Sequence, residues 1–256
     1  MANLGQVAVL SGRATRQSLR NPQFLAPVLV LPTLFLIAYA GGVAGGANLP
    51  GFPAGAGMFE FQLGGDMLLS AMMAGVIGGV TQVVDIQSKF FDRLLLTPTS
   101  ASAVVFGRLV GIGMLGLLGG VFFTVIGLVF GGRPAGVGGV LMMLLLQVLT
   151  AMGFGAVTVA IALRTGEGNA VQIFLPLGIV LTMFSSAFFP RHLLLSPLDT
   201  VAAYNPLSYI ADGLHAPWIG GLTATVAWRA VLALAVIWLV GGLLCARALK
   251  HRAEAG

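Results

Sequence analysis

The sequence predicts an all-α membrane protein with six transmembrane helices. An N-terminal amphipathic helix on the membrane surface, a cytosolic helix between spans two and three, and an outer helical hairpin complete it. Three observations predict this class. The 256-residue chain is 57% hydrophobic and only 8% charged, against roughly 25% charged in soluble domains. Its apolar runs are long and continuous, which favours helices over the alternating ten-residue segments of a membrane barrel. Its few charges gather between those runs.

Residues 3–20 are neither long nor apolar enough to span. Leu4, Val7, Ala8, Ser11, Ala14, Ser18 and Leu19 fall on one helical face, and Gln6, Arg13, Arg16, Gln17 and Arg20 on the other. That is a basic amphipathic helix on the inner leaflet. It serves equally as an anionic-lipid anchor or as a docking element for a partner. No short apolar core followed by a small-residue cleavage site marks a signal peptide.

A helix crosses the hydrocarbon core in about 20 residues, and six stretches supply that length: 23–44, 62–83, 103–130, 138–163, 169–189 and 224–246. Charge is absent between Arg108 and Arg133, between Arg133 and Arg164, and between Glu167 and Arg191. With both termini cytoplasmic, ten basic residues fall inside (Arg13, Arg16, Arg20, Lys89, Arg93, Arg108, Arg164, Arg247, Lys250, Arg252) and three outside (Arg133, Arg191, Arg229). That bias orients the chain. Tyr39, Tyr204, Tyr209, Trp218 and Trp228 fall at the outer interface, as an aromatic belt does. Gly75 and Gly79, Gly107 and Gly111, and Gly116 and Gly120 form small-xxx-small pairs. They suit close helix packing, within the chain or between subunits.

The connection between spans two and three reads QSKFFDRLLLTPTS. As a helix over 83–97, Val83, Val84, Gln87, Phe90, Phe91, Leu94 and Leu95 share one apolar face. Asp85 and Lys89 form a favourable i,i+4 pair. Pro98 stops the helix at Thr97, and Ser100 caps the next one. Aromatic anchors ringed by charge suit a protein–protein hot spot; burial in lipid headgroups is the alternative. The 189–223 loop is too apolar for a solvated loop, and Pro190, Pro197, Pro206 and Pro217 break it too often for one span. It reads as a re-entrant or interfacial helical hairpin, or as a cap sealing the outer side.

Several functions are disfavoured. Thirteen basic residues scattered between apolar runs make no nucleic-acid stripe. A single cysteine, Cys245, excludes an intrachain disulfide. His192, His215 and His251 have no partner at metal-ligand spacing. There is no G-x-x-x-x-G-K-[ST] loop, and neither Lys89 nor Lys250 follows a glycine. No nucleophile–base pair stands out, so the chain is not expected to be an enzyme on its own. No ring of like charge lines a span, which argues against a pore. Asp66 is the only acid inside a predicted span, about a turn from its outer end. A structural role fits it better than proton coupling, although a proton-coupled carrier using Asp66 stays open. So does a non-transport assembly protein.

Two local motifs carry a family resemblance. FFDRLLLTPTSASAVVFGRL, residues 90–109, holds Asp92, Arg93, Leu94, Pro98, Gly107 and Arg108 in order. SSAFFP at 185–190 is followed by YNPLSYIADGL at 204–214. Over nearly its whole length the chain resembles the permease subunit of a type-2 ABC exporter, close to the daunorubicin-resistance branch. Lys89 stands where that family often has Gly, and His215 where it often has Arg. The resemblance implies a complex in the cell membrane of two permeases, identical or closely related, with two P-loop ATP-binding subunits. ATP and Mg would bind in those partners and no cofactor in this chain. Asp85, Lys89, Phe90, Phe91, Asp92, Arg93 and Leu94 would form the coupling helix, and Arg13, Arg16 and Arg20 would lie on the bracing interfacial helix. Phe189, Pro190, Asn205 and Pro206 would gate the outer hairpin. Spans one, two and five would line the path of an exported amphiphilic drug or lipid, as in multidrug efflux or antibiotic resistance. Met67, Met72, Met73, Met183 and Phe184 are candidates for that path, though plain packing also explains methionines at helical spacing.

Overall fold

The computed structural model describes residues 11–13, 15–17, 20–90, 93 and 101–255, and every regular element among them is helical. In chain order these are α1 (Pro22–Gly42), α2 (Met58–Gln87), α3 (Ala101–Val129), α4 (Gly136–Thr165), α5 (Gly168–Gln172), α6 (Phe174–Met183), α7 (Leu198–Tyr204), α8 (Pro206–Ile219) and α9 (Ala224–Ala255). Short 3-10 turns cover Ala44–Asn48 and Arg191–Leu193. Five helices, α1 to α4 and α9, are long and apolar enough to cross a membrane.

The helix ends follow their residues. Asn21 caps α1 by accepting from the Gln23 amide at 3.1 Å, and Pro22 takes the first helical position, where its missing N–H costs nothing. Glu60 accepts from the Gly57 amide at 3.0 Å at the start of α2. Gly166 ends α4 in the left-handed region at φ +68°, a conformation open to glycine at little cost.

Helix α2 is the hub. Almost all of it is buried, against α1, α3, α4 and α8. Close approach explains the glycines on it. A Cβ on Gly75 would lie 2.7 Å from Phe154 Cβ, and one on Gly79 2.7 Å from Thr158 Cβ. Thr158 also donates to the Gly75 carbonyl at 2.7 Å. Gly116 and Gly120 likewise meet Ala151 and Gln147 of α4. These pairs pack helices within the chain. The outer surface is apolar: Ile37, Val129, Phe130, Val137 and Leu239 are each more than 60% exposed. Such a surface belongs in lipid.

Contacts fix the two ends of the bundle. At the basic end Gln87 donates to the Gly166 carbonyl at 3.2 Å, and Arg252 to Leu163 at 3.2 Å. At the other end the Phe59 and Phe130 rings lie 5.8 Å apart and the Ala135 amide donates to Pro217 at 2.7 Å. The second end carries α7 and α8, and is called the hairpin end below.

The stretch expected as one span over 169–189 is divided. Pro176 cannot donate to the Gln172 carbonyl, so the helix breaks between α5 and α6. Residues 184–190 are not regular helix. Val171, Gly178 and Ala187 nevertheless lie in turn against Gly79, Met72 and Gly65 of α2. This composite segment therefore runs antiparallel to α2, from the basic end towards the hairpin end.

Candidate functional site

The connection between α2 and α3 begins where α2 ends, and there the sequence places its charges. Asp85, on the last turn of α2, is 5% exposed. A carboxylate buried this far needs charged partners. It has two: Arg108 of α3 pairs with Oδ2, and Arg13 of the N-terminal segment pairs with Oδ1 at 3.3 Å. Arg108, 6% exposed, donates further from Nε to Gln82 at 3.2 Å, and from Nη1 to Thr81 at 3.2 Å and Gln17 at 3.5 Å. The Arg13 guanidinium lies 3.6 Å from the centroid of the Phe90 ring, within cation–π range. One carboxylate thus fastens three separate pieces of chain where the loop emerges.

Asp85 and Lys89, expected as an i,i+4 pair, do not share one helix. The helix ends at Gln87, and Lys89 sits at φ +58°. This is the left-handed position that follows many helices and favours glycine. The chain turns helical again at Phe90 and Arg93. One continuous helix beginning at 83 is therefore corrected to the end of α2, a left-handed turn and a second helical start. Phe91, Asp92 and Leu94 lie outside the described residues. Phe90 is half-buried beneath Arg13, so its ring is less open than the sequence suggests; Lys89 and Arg93 are exposed. Arg16 and Arg20 are exposed as well. The sequence reading gave Arg108 no site role. Its motif position beside Gly107 was the available signal, but its pairing with Asp85 spans 23 residues.

At the hairpin end, Asn205 caps α8 through the Leu207 amide at 2.9 Å. Its amide nitrogen donates to the Leu181 and Phe184 carbonyls at 2.7 and 3.0 Å, tying the hairpin to the end of α6. Pro206 opens α8. Phe189 meets Tyr39 edge-on at 5.8 Å. Pro190 lines a cavity of about 350 Å³ with Phe61, Arg191, His192, Asp212 and His215. Arg191 pairs with Asp212, which also accepts from Ser186 at 2.7 Å. His215 stacks on Phe61 at 4.1 Å and bonds the Ala187 carbonyl at 3.1 Å. Burial lowers its imidazole to about pH 4 and keeps it neutral.

The five path candidates separate. Met67, Met72 and Met73 are buried in the core, with Met72 sulfur accepting from Thr182 at 3.1 Å, whereas Met183 and Phe184 are exposed. Asp66 is deeper than the sequence suggested. Helix α2 begins at Met58, not at 62, so Asp66 lies about two turns in and is fully buried. It cannot snorkel. Gln62 donates to its Oδ1 at 3.3 Å. Among the described residues no three His, Cys, Asp or Glu side chains gather as a metal site.

Residues 5–217 match the family model described as ABC-2 type transporter. The chain is 23% identical over 212 residues to a transport permease, ycf38, of Porphyra purpurea, covering 82% of this chain and 72% of the relative. A transport permease ycf38 of Pyropia yezoensis is 22% identical over 210 residues, covering 81% and 72%.

Proposed function

The chain belongs to the ABC-2 type transporter family and is a multi-pass membrane transport permease; on that premise we propose that it is the membrane subunit of an ATP-driven exporter. A separate P-loop subunit, holding ATP and Mg, supplies the energy, as permeases of this family generally pair with one. Two permease copies, or this chain and a close paralogue, form the membrane part. The composite segment 168–190 serves as a sixth crossing, which puts both termini in the cytoplasm of a cell membrane. The cargo is an amphiphilic or apolar drug or lipid, matched to the greasy spans.

The observation that carries this reading is the Asp85 cluster. A connection that only linked two spans would need no buried ion pair at its root. Here Arg13, Asp85 and Arg108 lock the N-terminal segment, the end of α2 and the start of α3 together. A push on the loop from the cytosol would then pass into both helices. In this reading Phe90, Phe91 and Leu94 supply the apolar contact with the ATPase, and Lys89, Asp92 and Arg93 orient it. Arg13, Arg16 and Arg20 lie on the brace. Phe189, Pro190, Asn205 and Pro206 form the exit gate; of the path candidates, exposed Met183 and Phe184 line the path, and Met67, Met72 and Met73 pack the core behind it.

Asp92→Ala with Arg93→Ala tests the coupling role: insertion stays normal and transport-linked ATPase activity is lost. Unchanged transport removes that role. The complete burial of Asp66 favours one rival, a proton-coupled carrier. Transport that survives Asp66→Asn but stops without ATP eliminates it.

A further inference from the structure

The two grooves on the flanks of α9 differ in kind. One, lined by Met142, Leu145, Leu149, Val231 and Trp238 among others, is apolar throughout, and any lipid tail fits it. The other lies between α9 and the hairpin, has a volume of about 520 Å³, and is built with polarity at one end. From that groove we infer that the permease holds an anionic phospholipid of the leaflet bordering the hairpin end.

Arg229, Leu232, Ala233 and Val236 of α9 all line the groove. Their spacing of i, i+3, i+4 and i+7 puts them on one helical face. Arg229 is near the helix start and Val236 about 10 Å deeper at 1.5 Å per residue. Cation and apolar floor are thus stacked along α9, inside a helix long enough to span. A lipid phosphate and the first part of its acyl chain have the same order over the same distance. Tyr204, Tyr209 and Trp228 line the groove beside Arg229, at the level where amphipathic rings meet headgroups.

Charge decides the class of lipid. Arg191 and Asp212 neutralise each other, and the Arg191 guanidinium lies 4.8 Å from the centroid of the Tyr209 ring. Arg229 is exposed and has no carboxylate partner among the described residues; its contact is the Trp228 ring at 6.0 Å. The groove therefore keeps an uncompensated cation above its apolar floor. A snorkelling arginine also rests its stem on apolar surface, but here Leu232 and Val236 on the groove floor stay more than half exposed, which leaves room for an acyl chain beneath Arg229. A zwitterionic lipid brings its own positive group to the same place, so a net anionic headgroup is favoured.

The test uses the full chain, with any partner that copurifies, in vesicles containing phosphatidylglycerol or phosphatidylcholine with a photoreactive acyl chain. Adducts on α9 around Leu232 to Val236 are mapped by mass spectrometry. One arginine near an anionic headgroup is worth about a fivefold preference, so phosphatidylglycerol should label this segment about five times more strongly. Arg229→Gln should bring the two lipids level, and Arg229→Lys should keep most of the preference. Leu232→Trp fills the groove from an exposed position and should abolish the preference with Arg229 intact. Equal labelling of the unmodified chain by both lipids overturns the inference. So does a preference that survives Arg229→Gln. A preference that survives Leu232→Trp assigns the effect to surface charge alone and overturns the groove.

Discussion

Removing the Asp85 carboxylate should be far more damaging than removing the arginine that reaches it from the N-terminal segment. Asp85→Ala leaves the Arg108 guanidinium, 6% exposed, without its counter-charge. Breaking a buried pair from one side typically costs about 3–5 kcal/mol. Gln82 and Thr81 still accept from Arg108, which puts the expected cost at the lower end, about 3 kcal/mol. The Arg13 side chain is 43% exposed, so its ion pair is worth about 0–1 kcal/mol, with about 0.5–1 kcal/mol more from the Phe90 ring. Arg13→Ala should therefore cost about 1 kcal/mol. The assay is denaturant unfolding of the purified chain in mixed micelles. The double variant Asp85→Ala with Arg108→Met should be more stable than the two single losses summed, by about 2 kcal/mol. If Asp85→Ala is no worse than Arg13→Ala, or the two losses simply add, the buried pair does not fasten the loop root.

Further expectations follow from single contacts. Lys89→Gly should be more stable than Lys89→Val by about 1–2 kcal/mol in the same assay, because φ +58° suits only the first. Gly75→Ala should destabilise by about 1–3 kcal/mol, since its Cβ would sit 2.9 Å from the Gly155 amide nitrogen, while Gly42→Ala meets nothing within 4 Å and should change little. His215 lies in α8, outside the five long helices, and its imidazole is lowered to about 4, chiefly by burial. The unfolded chain takes up that proton near pH 6.5 and the folded chain near 4. Stability should thus be level above pH 6.5 and fall by up to about 3 kcal/mol between pH 6.5 and 4. His215→Phe, read by unfolding at each pH, should flatten that segment of the profile.

The long spans were legible in the sequence because hydropathy and charge-free length are local properties. The runs over 103–130 and 138–163 lie within two residues of α3 and α4 at every boundary. What hydropathy could not show was the break at 169–189. Pro176 divides α5 from α6, and the Asn205 amide, more than twenty residues later, takes up the Leu181 and Phe184 carbonyls where α6 ends. The depth of Asp66 was misread because Met58 to Phe61 look like loop, yet α2 begins there on the strength of Glu60 at the Gly57 amide. At the candidate site, the cluster of charge was visible but its pairing was not. A helical pattern points Asp85 at Lys89; burial points it at Arg13 and Arg108, which lie 72 and 23 residues away. Two sequence clues were present: the motif position of Arg108 beside Gly107, and, for the left-handed turn at Lys89, the glycine that the resembling family often carries there.

The most direct measurement is a mild-detergent pull-down of the tagged chain from its native host, with mass spectrometry of what accompanies it. The account predicts a stoichiometric cytosolic subunit carrying a P-loop, retained by the unmodified chain and lost with Phe91→Ala. A chain that comes down without any ATP-binding subunit under those conditions would contradict it.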